Sequence, residues 1–126
     1  MTQDRKIVFK FDEVVIDAKD ARTLASFYEK LLGWERVVDE PYFVRLNNPD
    51  GGATLGFQSE ETYVPPVWPD EAGKPAKMEH VDFQVSDLQA AVELAESLGA
   101  KKAEAQFIDG IVVMIDPSGH PFCLIP

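Results

Sequence analysis

A tandem duplication is the feature of this sequence that most constrains its fold. One segment starts at Glu13 and another at His80, and in both the opening polar residue lies seven positions before an Asp. An apolar stripe with helical spacing follows that Asp, and a Gly ends the stripe. Self-similarity at a nearly constant offset indicates a repeated structural unit. The matched positions lie 66 to 68 residues apart along the chain: Asp20 with Asp87, Gly33 with Gly99, and the turn 48–51 with 116–119.

Each half is predicted to fold as a strand, a helix and three further strands. The opening strand of the first half alternates apolar Val14 and Ile16 with polar neighbours, which is typical of a half-buried strand. Asp20 or a neighbouring residue is expected to cap the first helix, and Ser86 or Asp87 the second. The fold class is therefore predicted to be α+β, built from tandem βαβββ repeats. The remaining strand-like runs are 34–39, 42–46 and 53–58 in the first half and 101–105, 111–115 and 122–125 in the second.

The chain, residues 1–126, is predicted to form a single domain, as its length suggests. Repeat one spans about 9–59, a proline-rich connector 60–77, and repeat two 78–126. The prolines of the connector exclude a helix and most ladder pairing. Two interpretations of the connector stay open: a semi-stiff tether between the halves, or a lid in which Tyr63 or Trp68 folds over the mouth of a pocket.

The composition argues against several classes of binding partner and cellular location. The formal net charge is −10, so binding to nucleic acid or to an anionic membrane surface is not expected. Cys123 is the single cysteine, which excludes a disulfide within the chain and fits a reducing compartment. No apolar run approaches the roughly 20 residues of a membrane span. A cytoplasmic location is therefore expected.

Several motifs together carry a family resemblance. Phe27-Tyr28 and Leu31-Leu32-Gly33 on the first helix, combined with the duplication, resemble the vicinal oxygen chelate superfamily. This superfamily contains glyoxalase I, extradiol dioxygenases, and fosfomycin- and bleomycin-resistance proteins. The resemblance implies an eight-stranded mixed sheet curled into a cup, with helices outside and a ligand or divalent metal inside. Three further segments resemble its small bacterial glyoxalase-like branch: 65–69, 78–80 and 120–123.

The resemblance also implies where a metal would be held. In relatives, the first and last strands of each half supply one ligand each, and these positions fall on Glu13, Gln58, His80 and Cys123. Only His80 is the residue that the family commonly uses. If a metal is bound, the candidate ligands are Glu13, His80 and Cys123, and the thiolate makes zinc the most compatible ion. Because most of the usual ligands are replaced, we expect no tightly bound metal.

The predicted function is small-molecule binding of the glyoxalase/bleomycin-resistance type. The alternative is a lyase- or isomerase-type enzyme in which His80 and Glu13 transfer a proton next to a carbonyl group, with or without a divalent metal. Strict glyoxalase I and extradiol dioxygenase activities are not expected. A homodimer is predicted, because relatives pair and form concave sites between protomers. The candidate ligand-binding residues are Gln58, Asp17, Asp82, Gln84, Cys123 and Trp68.

Overall fold

The order of helices and strands repeats once along the chain. The computed structural model describes residues 7–126, and within this range each half is a βαβββ unit. The first half contains β1 (Glu13–Ala18), α1 (Ala21–Leu32), β2 (Glu35–Glu40), β3 (Phe43–Asn47) and β4 (Thr54–Ser59). The second contains β5 (Val81–Gln84), α2 (Leu88–Ser97), β6 (Lys101–Lys102), β7 (Val112–Ile115) and β8 (Pro121–Ile125).

The eight strands form two mixed sheets of four. Their orders are β1-β4-β3-β2 and β5-β8-β7-β6, so the first strand of each half pairs in parallel with the last. The predicted α+β class with eight strands and two helices is confirmed, and residues 7–126 form no closed barrel. The pairing registers differ in detail between the halves. Val15 lies opposite Gly56 in the first sheet, and Asp82 lies opposite Cys123 in the second.

Both helices begin where the sequence predicts; α1 ends at the predicted Gly33, whereas α2 ends at Ser97 and is capped by Leu98, one residue before Gly99. The Asp20 carboxylate accepts hydrogen bonds from the backbone N–H of Arg22 and from the Thr23 hydroxyl, and Asp87 accepts from the N–H of Ala90. Helix α1 ends at Gly33, whose φ of 69° is readily adopted only by glycine. No helix within residues 7–126 is long and apolar enough to cross a bilayer.

One apolar core joins the two halves. The ring of Tyr28, on α1, stacks on Phe57 of β4 with centroids 5.5 Å apart, and it also contacts Phe83 and Phe122 of the second sheet. Its hydroxyl donates a 2.7 Å hydrogen bond to the buried Asp116, which begins the β7–β8 turn. Tyr28 therefore binds first-half and second-half residues at once, which holds the two units together as one body.

The connector 60–77 is fastened at several points along its length. Tyr63 donates from its hydroxyl to the Ser118 carbonyl at 2.7 Å, and the same hydroxyl lies 3.0 Å from His120 Nε2. His120 Nε2 also lies 2.6 Å from the carbonyl oxygen of Asp17. Lys19 donates to the Glu61 carbonyl at 2.8 Å. These bonds tie the connector to the end of β1 and to the β7–β8 turn.

Candidate functional site

A cavity of about 330 Å³ opens beside the second sheet. We call it the Trp68 cavity, because the half-buried indole of Trp68 forms part of its wall. That indole meets the ring of Phe107 edge to face, with centroids 5.8 Å apart. The connector thus contributes a wall of the cavity. The other lining residues are Lys77, His80, Asp82, Ile108, Ile111, Val113, Pro121, Cys123 and Ile125.

The polar side chains of the Trp68 cavity include a cluster of His80, Asp82 and Cys123. His80 precedes β5 by one position and Asp82 lies two residues later, so both side chains fall on the same face of that strand. Cys123 is directly opposite Asp82 on β8. His80 Nε2 lies 3.2 Å from Asp82 Oδ1, and one potential ligand atom from each of the three residues lies within 4.8 Å of the others.

Burial and the neighbouring charges together set the pKa of the Cys123 thiol. Burial raises the pKa of Cys123, and the Asp82 carboxylate raises it further by its charge and by accepting a hydrogen bond. Lys77 acts in the opposite direction on the same thiol. Cys123 therefore carries its proton at neutral pH, and it is a poor nucleophile in this state.

Glu13 occupies a different environment from His80. Its carboxylate lies over Gly56, where an added Cβ would approach Glu13 Oε1 to 2.7 Å and the Phe43 ring to 3.1 Å. Arg45 Nε is 3.9 Å from that oxygen, but the Arg45 guanidinium forms its short ion pair with Asp12 at 2.9 Å. Within residues 7–126, Glu13 Oε1 is buried and has no hydrogen-bond partner.

Three other candidate residues also lie apart from the cluster. The Gln58 amide donates to Glu60 at 2.6 Å, and Gln84 makes a long 3.5 Å contact to the Pro126 carbonyl. Asp17 lines a separate, more open cavity of about 460 Å³ between β1 and the connector. Of the predicted site residues, the structure therefore brings together His80, Asp82, Cys123 and Trp68. Glu13, Gln58, Asp17 and Gln84 do not line this cavity.

The strand registers revise one position of the implied metal set. Cys123 lies opposite Asp82, two residues after His80. The residue opposite Val15, two residues after Glu13, is Gly56, so Gly56 rather than Gln58 is the first-half equivalent of Cys123. A glycine offers no side-chain ligand. Glu13 also lies outside the group of three that the structure assembles. The four-position metal set of the family therefore does not fit this chain.

The sequence interpretation missed part of the cavity wall. Phe107 and Ile108 are 71% and 63% exposed, yet both line the Trp68 cavity. They lie in the loop between β6 and β7, to which the sequence analysis assigned no function. Two large apolar residues in succession in an exposed loop are the available signal, because such residues often mark a binding surface. Lys77, at the end of the connector, was also missed.

Comparisons with known proteins agree with this architecture. Residues 13–125 match the family model described as "Glyoxalase-like domain". A search of curated proteins finds no match to the chain. Among solved structures, a glyoxalase/bleomycin resistance protein/dioxygenase family enzyme from Burkholderia phytofirmans PsJN is 20% identical, with a TM-score of 0.71 over 92% of this chain and 97% of that one.

Two further solved structures have the same fold at lower identity. The glyoxalase family protein from Enterococcus faecalis is 19% identical, with a TM-score of 0.66 over 91% of this chain and 95% of that one. FosX, a genomically encoded fosfomycin resistance protein from Listeria monocytogenes, is 13% identical, with a TM-score of 0.66 over 94% and 93%. The predicted superfamily resemblance is confirmed, and at these identities the structural likeness concerns the fold alone.

Proposed function

Because the chain belongs to the glyoxalase-like family, we propose that it is a small-molecule-binding protein whose ligand occupies the Trp68 cavity. The observation that carries this proposal is the cavity itself, about 330 Å³ and lined mainly by apolar side chains, with His80, Asp82 and Lys77 among its few polar ones. Ligand pockets generally combine an apolar wall with a few polar groups that set orientation. The cavity lies at the lower end of their usual size range, which favours a compact ligand.

We propose that this binding does not depend on a metal held at the four positions implied by the family. Gly56 supports this, since it supplies no donor at the first-half position. Glu13 supports it too, because its carboxylate lies over Gly56 and outside the His80 cluster. Treatment with a chelator is therefore expected to leave the affinity for the small molecule unchanged.

A thermal-shift screen of metabolites tests the proposal. A ligand present at a hundred times its Kd stabilises the folded state by about 2.7 kcal/mol, which is easily detected. Phe107→Ala is expected to reduce the shift produced by each hit, because the ring forms part of the cavity wall. Tyr42→Ala is the matched control, since Tyr42 is 63% exposed and lies outside the cavity. Equal shifts in both variants would place the ligand elsewhere and contradict the proposal.

Intrinsic fluorescence gives a second test, because the chain has only two tryptophans. Binding in the cavity is expected to change the emission of Trp68. The change should therefore disappear in Trp68→Phe and persist in Trp34→Phe. The opposite result would show that the ligand binds outside the cavity that Trp68 lines.

Proton transfer next to a carbonyl is the second candidate function, and the contact between His80 and Asp82 favours it. A carboxylate 3.2 Å from an imidazole nitrogen holds the ring in a fixed orientation, as a proton-transferring histidine requires. Asp82 takes the place that the sequence interpretation gave to Glu13. Exchange of the α-protons of 2-oxo acids in deuterated water, followed by NMR, measures this activity. His80→Gln is expected to abolish exchange and His120→Gln to retain it, and equal rates would exclude the role of His80.

We also propose that the protein forms a homodimer. Ile7, Val8, Phe9 and Phe11 are between 68% and 82% exposed, and such apolar stretches usually mark an interface. Light scattering is expected to return twice the 14.0 kDa of one chain, and the single-chain value would contradict the proposal.

A reducing compartment such as the cytoplasm fits the single, unpaired Cys123.

A further inference from the structure

Lys77 places a positive charge on the wall of the Trp68 cavity. Among residues 7–126 it is the only lysine or arginine that lines this cavity, and it is half-buried. It takes part in none of the ion pairs within the same range. Its charge lowers the pKa of the Cys123 thiol, so the ammonium acts on the end of the cavity that holds Cys123. A half-buried charge without a partner is unfavourable, and an anionic group on a ligand would supply that partner.

The Asp82 carboxylate does not neutralise Lys77. Asp82 Oδ1 lies 3.2 Å from His80 Nε2, and this imidazole is the basic group that it contacts. Asp82 raises the pKa of the Cys123 thiol and Lys77 lowers it, so a negative and a positive group act on the same sulfur. A ligand with a single negative charge suits this arrangement, because a second charge would lie unpaired near Asp82.

The rest of the cavity wall favours a flat, apolar body. The rings of Trp68 and Phe107 both line the cavity, and they meet at an interplanar angle of 75°. Two aromatic walls at such an angle offer both edge-to-face and offset-stacked contacts to a third ring. Aliphatic side chains and a proline complete the wall: Ile108, Ile111, Val113, Pro121 and Ile125.

We propose that the Trp68 cavity binds a compact aromatic carboxylate, with its ring against Trp68 and Phe107 and its carboxylate bound by Lys77. This inference rests on the proposed function, because it names the class of ligand for the same cavity. The carboxylate accepts a charge-assisted hydrogen bond from Lys77 Nζ, and such bonds are stronger than those between neutral groups.

The charges of the neighbouring cavity determine the side from which an anion reaches Lys77. Lys77 also lines the cavity of about 460 Å³ between β1 and the connector. The acidic residues Asp17, Glu60 and Glu79 line that cavity too, so it repels an anion. The Trp68 cavity has Asp82 as its one acidic residue among residues 7–126. The ligand carboxylate therefore meets Lys77 from the Trp68 side.

Three probes with the same ring and different charges test the ligand class: phenylacetate, phenylacetamide and phenethylamine. NMR titration of the full chain measures their affinities, and acetate shows what the carboxylate contributes without a ring. Phenylacetate is expected to bind at least about 10-fold more tightly than the amide, as a hydrogen bond to a charged group implies. Phenethylamine and acetate are expected to bind more weakly than phenylacetate. Equal affinity for acid and amide, or tightest binding of the amine or of acetate, would overturn the inference.

A matched pair of lysine variants tests the role of Lys77. Lys77→Gln is expected to lower the affinity for phenylacetate to that for the amide, and to change the amide affinity by less than twofold. Lys74→Gln makes the same change in net charge at an exposed connector residue outside both cavities, and it is expected to keep the preference for the acid. Lys77→Arg is also expected to keep it. Equal weakening of phenylacetate binding in both glutamine variants would contradict the assignment to Lys77.

Failure of this inference is distinguishable from failure of the proposed function. Binding of phenylacetamide that depends on Phe107, without any advantage for phenylacetate, would overturn the carboxylate and leave the Trp68 cavity as a binding site. The absence of phenylacetate binding would also overturn the inference. The proposed function is judged separately, by whether the hits of the metabolite screen depend on Phe107.

Discussion

Replacing Tyr28 with Phe tests whether one buried hydrogen bond joins the two halves of the molecule. The Tyr28 hydroxyl donates to Asp116 Oδ2 at 2.7 Å, although the two residues are 88 positions apart. Tyr28 is 1% and Asp116 3% exposed, so water does not replace the missing donor. A hydrogen bond to a charged group is worth about 1.5 to 3 kcal/mol, and we expect the variant to lose this amount of unfolding free energy.

The pH dependence of this loss has a definite sign. Burial raises the pKa of Asp116, while the hydrogen bond from Tyr28 lowers it. A carboxyl whose pKa is raised by folding stabilises the protein fully below its unfolded pKa of about 3.9, and this contribution is lost as the pH rises through the folded value. Removing the Tyr28 hydroxyl raises the folded pKa further. The deficit of the variant is therefore largest near neutral pH and shrinks as the pH falls toward 3.9.

Urea denaturation measures both effects. The unfolding free energies of wild type and Tyr28→Phe are compared at about pH 7 and near the unfolded carboxyl pKa of about 3.9. Tyr42→Phe removes the same atom from a residue that is 63% exposed, and it is expected to change stability by less than about 0.5 kcal/mol. A loss no larger than that of this control, or a deficit that grows as the pH falls, would refute the reasoning.

Three further perturbations follow from single contacts. Gly56→Ala is expected to cost about 1 to 3 kcal/mol in urea unfolding, because its Cβ would lie 2.7 Å from Glu13 Oε1. The cost should fall in a Glu13→Ala background, and an equal cost there would exclude this clash. Asp20→Ala removes the N-cap of α1 and is expected to lower stability by about 1 kcal/mol, and no change would mean that the cap is replaced by water. Tyr63→Phe removes the bond to the Ser118 carbonyl and should speed proteolysis within the connector, whereas unchanged cleavage would show that other contacts hold it.

The sequence alone was enough to predict the helices, the strands and the duplication of the βαβββ unit. Alternation in β1, the Asp20 and Asp87 caps, and the stop at Gly33 depend on neighbours within a few positions. Local patterns of this kind report backbone preference and which face is apolar. They therefore predicted each helix and strand with boundaries close to those observed. β6 is the exception, since a run expected over 101–105 pairs only at Lys101 and Lys102.

The candidate site was predictable only in part. His80, Asp82 and Cys123 were each named, and their closeness follows from the parallel pairing of β5 with β8. The grouping of Glu13 with His80 was an inference from the family, and the structure gives these two residues different neighbours. The assignment of Gln58 as the first-half equivalent of Cys123 required the pairing register of β1 with β4. The sequence alone did not show this register, because the first half has one more residue between its turn glycine and the equivalent position than the second half.

Residue order by itself thus determined the repeated unit, its caps and the polar faces of its opening strands. Tertiary structure alone decided that Trp68 of the connector meets Phe107 of a distant loop, and that Gly56 leaves the first half without a second ligand. The physical reason is the distance along the sequence over which each interaction acts. Capping and alternation act over a few residues, whereas a cavity wall and a strand register depend on contacts between segments about 40 residues apart, whose pairing no local pattern records.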